Sequence, residues 1–444
     1  MGGAALTAVR IETGNGREPT RALPPLAKVC LITPLHPSGN PRLVKEADAL
    51  SAAGYQVEVI APEFSRQWRA ADEEFRDRAW RIVARPHFGP ESPPRLRVLE
   101  LARRCLAGIA AKNFHLRHPA VVRAAWHPVA PALVVAARSV KADLYIAHLV
   151  AALPAAAIAA GEHGAIYGFD AEDFHLGDPP SSPHHEYERR LTRAIEGAHL
   201  PGCSYMTAAS PLIATAYAEA YGIPAPHVLL NVFPRARAVS RPTPAGVCKP
   251  GPSVYWFSQT IGPGRGLECA VRAIAAARSR PHLYLRGNAA AGYRHRIERL
   301  AGEEGVEDRV HILPMANPSQ MEELASPYDV GLSGEPGGTP NNRMALGNKL
   351  FSYMLAGLPI AMSATPAHEA FAPQLGSAAR LYPIDDASSL ARILDRWLLD
   401  PAALAEARRT SWELGQKRFN WDLSSGDFLS TIRHALGGRR CHGH

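Results

Sequence analysis

Four short segments of this chain combine residue types that suit chemistry on an anionic ligand. In Gly337–Pro359, a polar loop carrying Gly338, Asn341 and Asn342 leads into an apolar stretch through Asn348 and Lys349. This reads as a helix capped by Asn348, with Lys349 in its first turn. A cation sits badly at the positive end of a helix unless a bound anion offsets it, and a nucleotide diphosphate would do so. Gly357 ends the helix and Pro359 leads into the next strand. In Ser258–Glu268, Gly262, Gly264 and Gly266 surround Arg265 at a strand-to-helix turn. Free backbone N–H groups, the helix dipole and the guanidinium would together hold a diphosphate; the plainer alternative is a Gly-rich capping loop. In Ser38–Arg42, Gly39 lets the backbone approach a ligand, Asn40 follows it, and Arg42 offers a fork of donors to phosphate. The alternative there is a turn opening a helix, with a surface arginine.

The fourth segment, Gly168–His175, places Asp170, Glu172 and Asp173 within four residues. Crowded carboxylates raise at least one carboxyl pKa, which makes Glu172 or Asp173 a candidate general base and Asp170 a candidate contact to the acceptor of a transferred group. A solvated acidic turn is the alternative. The Asp-x-Glu spacing could hold a divalent metal through oxygen ligands, but no second carboxylate cluster accompanies it, so no metal site is assigned. His36 and His148 fall near strand ends as further acceptor-side candidates, a satisfied structural role being the ordinary alternative for a lone histidine.

Such loops need a frame. Lys28–Thr33, the helical pattern Arg42–Ala53 and Gln56–Ala61 form a strand, helix and strand with a glycine stop at Gly54. Asp143–His148 and Gly164–Asp170 continue the alternation as strands. From Arg235 to Pro252 the periodicity breaks among Pro, Arg, Gly and Lys, marking a linker. A second series then starts, with strands at Ser253–Ser258, His282–Gly287, Val310–Leu313, Tyr328–Leu332 and Leu358–Met362 and helices at Gly266–Ala277 and Leu350–Ala356. The pattern predicts an α/β protein of two facing Rossmann-like domains with the active site in the cleft between them. Expected bounds are a leader 1–26, a first domain 27–235, a linker 236–252, a second domain 253–417, a helix 418–437 and a tail 438–444.

The totals agree with that frame. A chain of 444 residues exceeds one ordinary core, and 46% hydrophobic with 20% charged residues is a folded composition. Six scattered cysteines without a CxxC pair favour a reduced, cytoplasmic compartment over a disulfide framework. No apolar run reaches the roughly 18–20 residues of a membrane span, and residues 1–26 lack the apolar core of a signal peptide. The His434, Cys441, His442 and His444 tail reads as surface rather than as zinc ligands. The formal charge of +8 suits small anions or an anionic membrane and does not argue for nucleic acid.

The run TPNNRMALGNKLFSYMLAGLPI (residues 339–360) closely resembles the donor loop of GT-B glycosyltransferases of the family 4 type, the glycosyl transferases group 1. SGNPRLVKEADALSAAGYQVEVIAPE, ADLYIAHLVAALPAA, HVLLNVFP, GPGRGLECAVRAI and RFNWDLSSGDFLSTIRHAL resemble further family segments in the same order, which implies an acceptor-side first domain, a nucleotide-sugar-binding second domain and a helix 418–437 that crosses back to the first. The resemblance implies transfer of a sugar from a nucleoside diphosphate sugar to an acceptor not identified by the sequence. It implies no essential metal and no cofactor, and retention of configuration. It also implies that Arg265 and Lys349 neutralise the diphosphate, with the Gly337–Asn342 loop and Asn348 holding phosphate and sugar, Asn342 facing the sugar, and Gly39, Asn40 and Arg42 closing the site. Two positions depart from the family: Ser352 stands where a ribose-binding glutamate is usual, and Glu172 where many members have histidine. Serine cannot bridge two hydroxyls as a carboxylate does. Two alternatives therefore stand beside glycosyl transfer: a nucleotide-sugar epimerase, or a non-catalytic partner protein of the same fold. A dehydrogenase is disfavoured because GxGxxG is missing. Finally, Arg95, Arg97, Arg103, Arg104, Lys112, Arg117 and Arg123 are interleaved with apolar residues. This is either a peripheral contact to anionic membrane or an ordinary amphipathic helix packed on the sheet.

Overall fold

The computed structural model describes residues 26–113, 118–178, 183–240 and 250–440. The leader, most of the linker (241–249) and the end of the tail (441–444) lie outside the described residues. Two parallel sheets form the frame. The first has the order β3-β2-β1-β4-β5-β6-β7, with β1 Lys28–Ile32, β2 Gln56–Ile60, β3 Arg81–Ala84, β4 Leu144–His148, β5 Ile166–Ala171, β6 Tyr205–Ala208 and β7 His227–Val228. The second has the order β10-β9-β8-β11-β12-β13, with β8 Ser253–Ile261, β9 His282–Ala289, β10 Val310–Leu313, β11 Val330–Ser333, β12 Ile360–Ser363 and β13 Ala379–Tyr382. The central strands are buried on both faces: Val29, Cys30, Leu31 and Ile32 of β1 are fully covered, as a helix-sandwiched parallel strand requires.

In both sheets the strand order reverses direction at one point, between β1 and β4 in the first and between β8 and β11 in the second. Loops on either side of such a point diverge at the carboxyl ends of the strands and leave a crevice. The Ser38–Arg42 loop follows β1, the Glu172–Asp173 turn follows β5 beside β4, the Arg265 loop follows β8, and the Lys349 segment follows β11.

The helix Asn348–Ala356 is clamped to this frame by its aromatic face. A Cβ on Gly331 of β11 would lie 2.5 Å from the Tyr353 ring, so only glycine lets the helix settle this close. The Tyr353 hydroxyl serves the carbonyls of Tyr255 (3.1 Å) and Leu332 (3.2 Å). Gly357, at φ +71°, ends the helix. Its start differs from the sequence expectation. The capping position belongs to Gly347, which gives no side-chain cap, and Asn348 is the first helical residue. The Asn348 side chain is instead turned across the cleft, where its Oδ1 accepts from Asn231 Nδ2 at 2.7 Å.

The helix Trp421–Arg440 returns to the first domain. Trp421 N–H donates to the Phe233 carbonyl at 2.8 Å, Arg235 N–H donates to Asp422 Oδ2 at 2.6 Å, and Phe428 and Ile432 are fully buried. The two sheets are therefore tied at a second place besides the linker.

Candidate active site

A cleft of about 730 Å³ opens between the two sheets. Ser38, Gly39, Trp68, Glu172 and Asp173 line it from the first domain; Arg265, Glu335, Asn342, Asn348, Lys349 and Ser352 line it from the second. Arg265 and Lys349, 84 residues apart in sequence, thus share one wall. Lys349 Nζ lies 3.0 Å from Glu335 Oε1 and 5.5 Å from the centre of the Trp256 ring. Burial works to raise the Glu335 carboxyl, yet Lys349, with help from Arg265 and His368, holds it below the usual carboxylate range. Both cations therefore act on the same carboxylate. The helix-start position of Lys349, which the sequence could explain only by a bound anion, is offset within the protein by Glu335.

The opposite wall carries Glu172 and Asp173. Asp173 Oδ1 accepts from Asn341 Nδ2 at 2.8 Å, while Asn341 Oδ1 accepts from the Phe174 N–H at 2.8 Å. One asparagine of the second domain thereby fixes the acidic turn of the first. Ser210 Oγ donates to the Met344 carbonyl at 2.5 Å, a second polar tie across the same junction.

Three expected site residues, Arg42, Asp170 and His148, lie inside the first domain for a common reason: charges buried at the β1–β4 crossing satisfy one another. Arg42, 1% exposed, donates to both oxygens of Asp170 (2.5 and 2.7 Å) and to the Leu229 carbonyl (2.6 Å). It is consumed inside the first domain and does not close the cleft. Asp170, fully buried, also accepts from Thr207. Burial would raise its carboxyl, but Arg42, His148 and Thr207 hold it low. Crowding of acids raises the Glu46 carboxyl, through burial and the adjacent Asp170, and the Asp178 carboxyl, through burial and Asp173. His148 is wholly buried, with Glu46 at 3.3 Å and Asp170 and Glu172 at 3.4 Å each. Burial alone would lower its pKa; the three carboxylates lift it to about 10, so the ring is an imidazolium that touches Glu172 from behind and no base at neutral pH. Asn40 caps the Pro41–Ala52 helix by accepting from Leu43 N–H at 3.1 Å. His36 is buried, with Nδ1 2.8 Å from Asp72 and Nε2 accepting from Phe64 N–H at 3.3 Å. Gly262, Gly264 and Gly338 are outside the described wall of the cleft. The glycine that matters at that turn is Gly266, where a Cβ would come within 1.9 Å of the Gly334 carbonyl oxygen at φ +69°.

Glu46, His148 and Asp170 point ligand atoms at a common space in the manner of a metal site. The Arg42 guanidinium already supplies that cluster with a cation, on both Asp170 oxygens and 3.9 Å from Glu46.

Sequence reasoning missed three residues. Glu335 follows the end of β11 by two positions, so the strand-end rule applied to every loop would have selected it. Asn341 was passed over for its neighbour Asn342, although both stand in the same loop. Glu322 is visible only in three dimensions. Its Oε1 accepts from Ser352 Oγ at 2.7 Å and its Oε2 lies 2.7 Å from Arg237. A carboxylate thus stands directly behind Ser352.

No protein-family model matches the chain, and no curated protein matches its sequence. The fold does match solved structures. Anabaena HepE, determined in complex with UDP and glucose, aligns with TM-score 0.64 at 17% identity over 92% of this chain and 100% of that one. Sucrose-phosphate synthase from Thermosynechococcus elongatus aligns with TM-score 0.66 at 15% identity, over 93% and 100%. The lipopolysaccharide outer core galactosyltransferase WaaB aligns with TM-score 0.55 at 13% identity, over 92% and 99%. With two parallel sheets and a match to these structures over nearly the whole chain, the protein has the GT-B fold.

Proposed function

We propose that the protein transfers a sugar from a nucleoside diphosphate sugar to an acceptor bound against the first domain. The observation that carries this reading is the convergence of Arg265 and Lys349 on one wall of the cleft, facing the carboxylates Glu172 and Asp173 on the other. As the bond from the anomeric carbon to the diphosphate lengthens, negative charge grows on the leaving oxygens. Two positioned cations stabilise that charge more than they stabilise the ground state, which is the condition for catalysis. This role of Arg265 and Lys349 makes the transfer metal-independent in the present reading, and no cofactor enters it. The acceptor hydroxyl forms the new bond to the anomeric carbon while its proton passes to a carboxylate of the facing wall, Glu172 or Asp173. Asn342, Asn348 and Ser352 border the same space and are assigned to the donor; retention of configuration, carried on the sequence resemblance alone, requires the acceptor hydroxyl to attack on the face that the diphosphate leaves, with Glu172 or Asp173 reaching the hydroxyl from that same face.

UDP is the first nucleotide to test, since HepE was solved with UDP and with UDP-glucose. A thermal-shift panel of UDP, GDP, ADP and dTDP, followed by product analysis with the matching sugar donors, decides the matter. A nucleotide that binds native protein at 100 times its Kd adds about 2.7 kcal/mol of stability. Stabilisation with sugar release or transfer supports the proposal. Stabilisation without turnover under any acceptor would leave a nucleotide-sugar-binding partner protein, and no stabilisation by any of the four would sink both readings.

A further inference from the structure

The helix Pro94–Asn113 is arranged opposite to an ordinary surface helix. Its inward face is made of small residues: Ala107 packs among Val122, Ala125, Val150, Leu191 and Ile195, and the Gly108 carbonyl accepts from the Tyr187 hydroxyl at 3.3 Å. Its large apolar residues point out. Val98 (70%), Leu99 (59%), Leu101 (65%), Leu106 (68%) and Ile109 (59%) are exposed, five of the eleven large hydrophobics exposed among the described residues. Their spacing is not random. Val98, Leu101, Cys105 and Ile109 follow one another at helical intervals as a stripe, widened on one side by Leu99 and Leu106.

Charge frames this stripe. Arg97 and Arg104 run along one edge and Arg103 along the other, with Arg95 at the start, and all four are exposed. The one acid of the helix, Glu100, accepts from the Gly89 N–H at 3.3 Å on the protein side. An apolar band with arginines on both rims and nothing acidic on the outward side is the pattern of a helix lying in the headgroup plane. There the leucines enter the acyl boundary while the guanidinium tips reach lipid phosphates.

We propose that this helix docks the first domain on an anionic lipid bilayer. The positive rims select this occupant. A two-fold contact between copies of the chain would set the arginine edges of one helix against those of the other. The segment 1–25, with three arginines and two glutamates, offers the helix no complementary charge. Among the described residues no single helix is long and apolar enough to cross a membrane, so the contact is one of surface docking.

The test is flotation of the full chain with phosphatidylcholine vesicles, with and without about 30% phosphatidylglycerol. Binding is expected only with the anionic lipid and should weaken steeply with added salt. Each basic residue near such a surface contributes about fivefold, so Arg103→Ala with Arg104→Ala should lower partitioning about 25-fold. The triple variant Leu101→Ser, Leu106→Ser and Ile109→Ser should abolish it at unchanged thermal stability, because those side chains pack against nothing that the fold needs. Equal binding to neutral vesicles, no binding to anionic ones, or a dimer that the serine variant dissolves would overturn the proposal. So would vesicle binding that appears only after residues 1–25 are removed, which would make that segment the occupant. Partitioning is read without turnover, so its failure leaves the assignment of glycosyl transfer untouched.

Discussion

Replacing Lys349 by alanine probes the cleft most informatively, because the consequence has two parts and pH acts on one of them, the charge of Glu335. Lys349 Nζ, 3.0 Å from Glu335 Oε1 and one-tenth exposed, neutralises a carboxylate that lines the same cleft. Loss of a charge-assisted hydrogen bond to a diphosphate costs about 1.5–3 kcal/mol. Removing the lysine also leaves Glu335 to repel the ligand; at an effective dielectric of about 20, unit charges 4 Å apart interact by about 4 kcal/mol, of which solvent entering the open cleft screens a large share. A total near 3 kcal/mol, or about two orders of magnitude, is expected in turnover and in UDP affinity. The sign of the pH effect follows from Glu335. In the parent protein Lys349 keeps its carboxyl below the ordinary range. Without the lysine, burial dominates and the carboxyl rises, so protonation on lowering the pH removes the repulsion. Lys349→Ala should therefore regain UDP affinity as pH falls toward 5, where the parent does not, and Lys349→Ala with Glu335→Gln should recover part of it at pH 7. Isothermal titration with UDP reads both. A Kd within twofold of the parent, or a double variant no better than the single, would refute the reasoning.

Three further outcomes are expected. Arg42→Met strands Asp170 as a buried unpaired carboxylate and should cost about 3–5 kcal/mol in denaturant unfolding, while the protein that remains folded binds UDP as before. The His148 ring should remain protonated in nitrogen-15 spectra until about pH 10. Its contribution to stability is fully present below 6.5 and lost as pH rises through 10; titration near 6.5 would show that the carboxylates around it are not charged. Gly331→Ala forces a methyl into the Tyr353 ring at 2.5 Å, which should cost about 1–3 kcal/mol and, by moving the helix that bears Lys349, also weaken UDP binding.

The frame was legible in the sequence because parallel strands buried on both faces leave unbroken apolar runs. β1, β4, β8 and β11 could be read directly, and with them the four loops at the reversal points. Short strands could not: β6 is Tyr-Met-Thr-Ala and β7 only two residues, and neither has a run that stands out from loop. The wall that carries Lys349 was legible for a chemical reason, since a lysine at a helix start demands a negative partner. The sequence does not say whether that partner is ligand or protein; Glu335 supplies it and faces the cleft as well. The first domain misled more. Arg42, His148 and Asp170 have the residue types of a site, but Glu46, one turn along the Pro41–Ala52 helix, and Arg42 itself close that charge cluster away from the cleft. Which polar residue near a strand end turns inward is decided by neighbours more than 100 positions away, and such pairings leave no mark in local spacing. Ser352 is another case: its hydroxyl donates to the buried carboxylate of Glu322, on a different helix, a partner that local spacing does not show.

A crystal structure with UDP bound tests the central claim most directly. The account predicts the diphosphate in the cleft between the sheets, with phosphate oxygens about 3 Å from Lys349 Nζ and from the Arg265 guanidinium. UDP held anywhere else, or in the cleft with both cations turned from the phosphates, would contradict it.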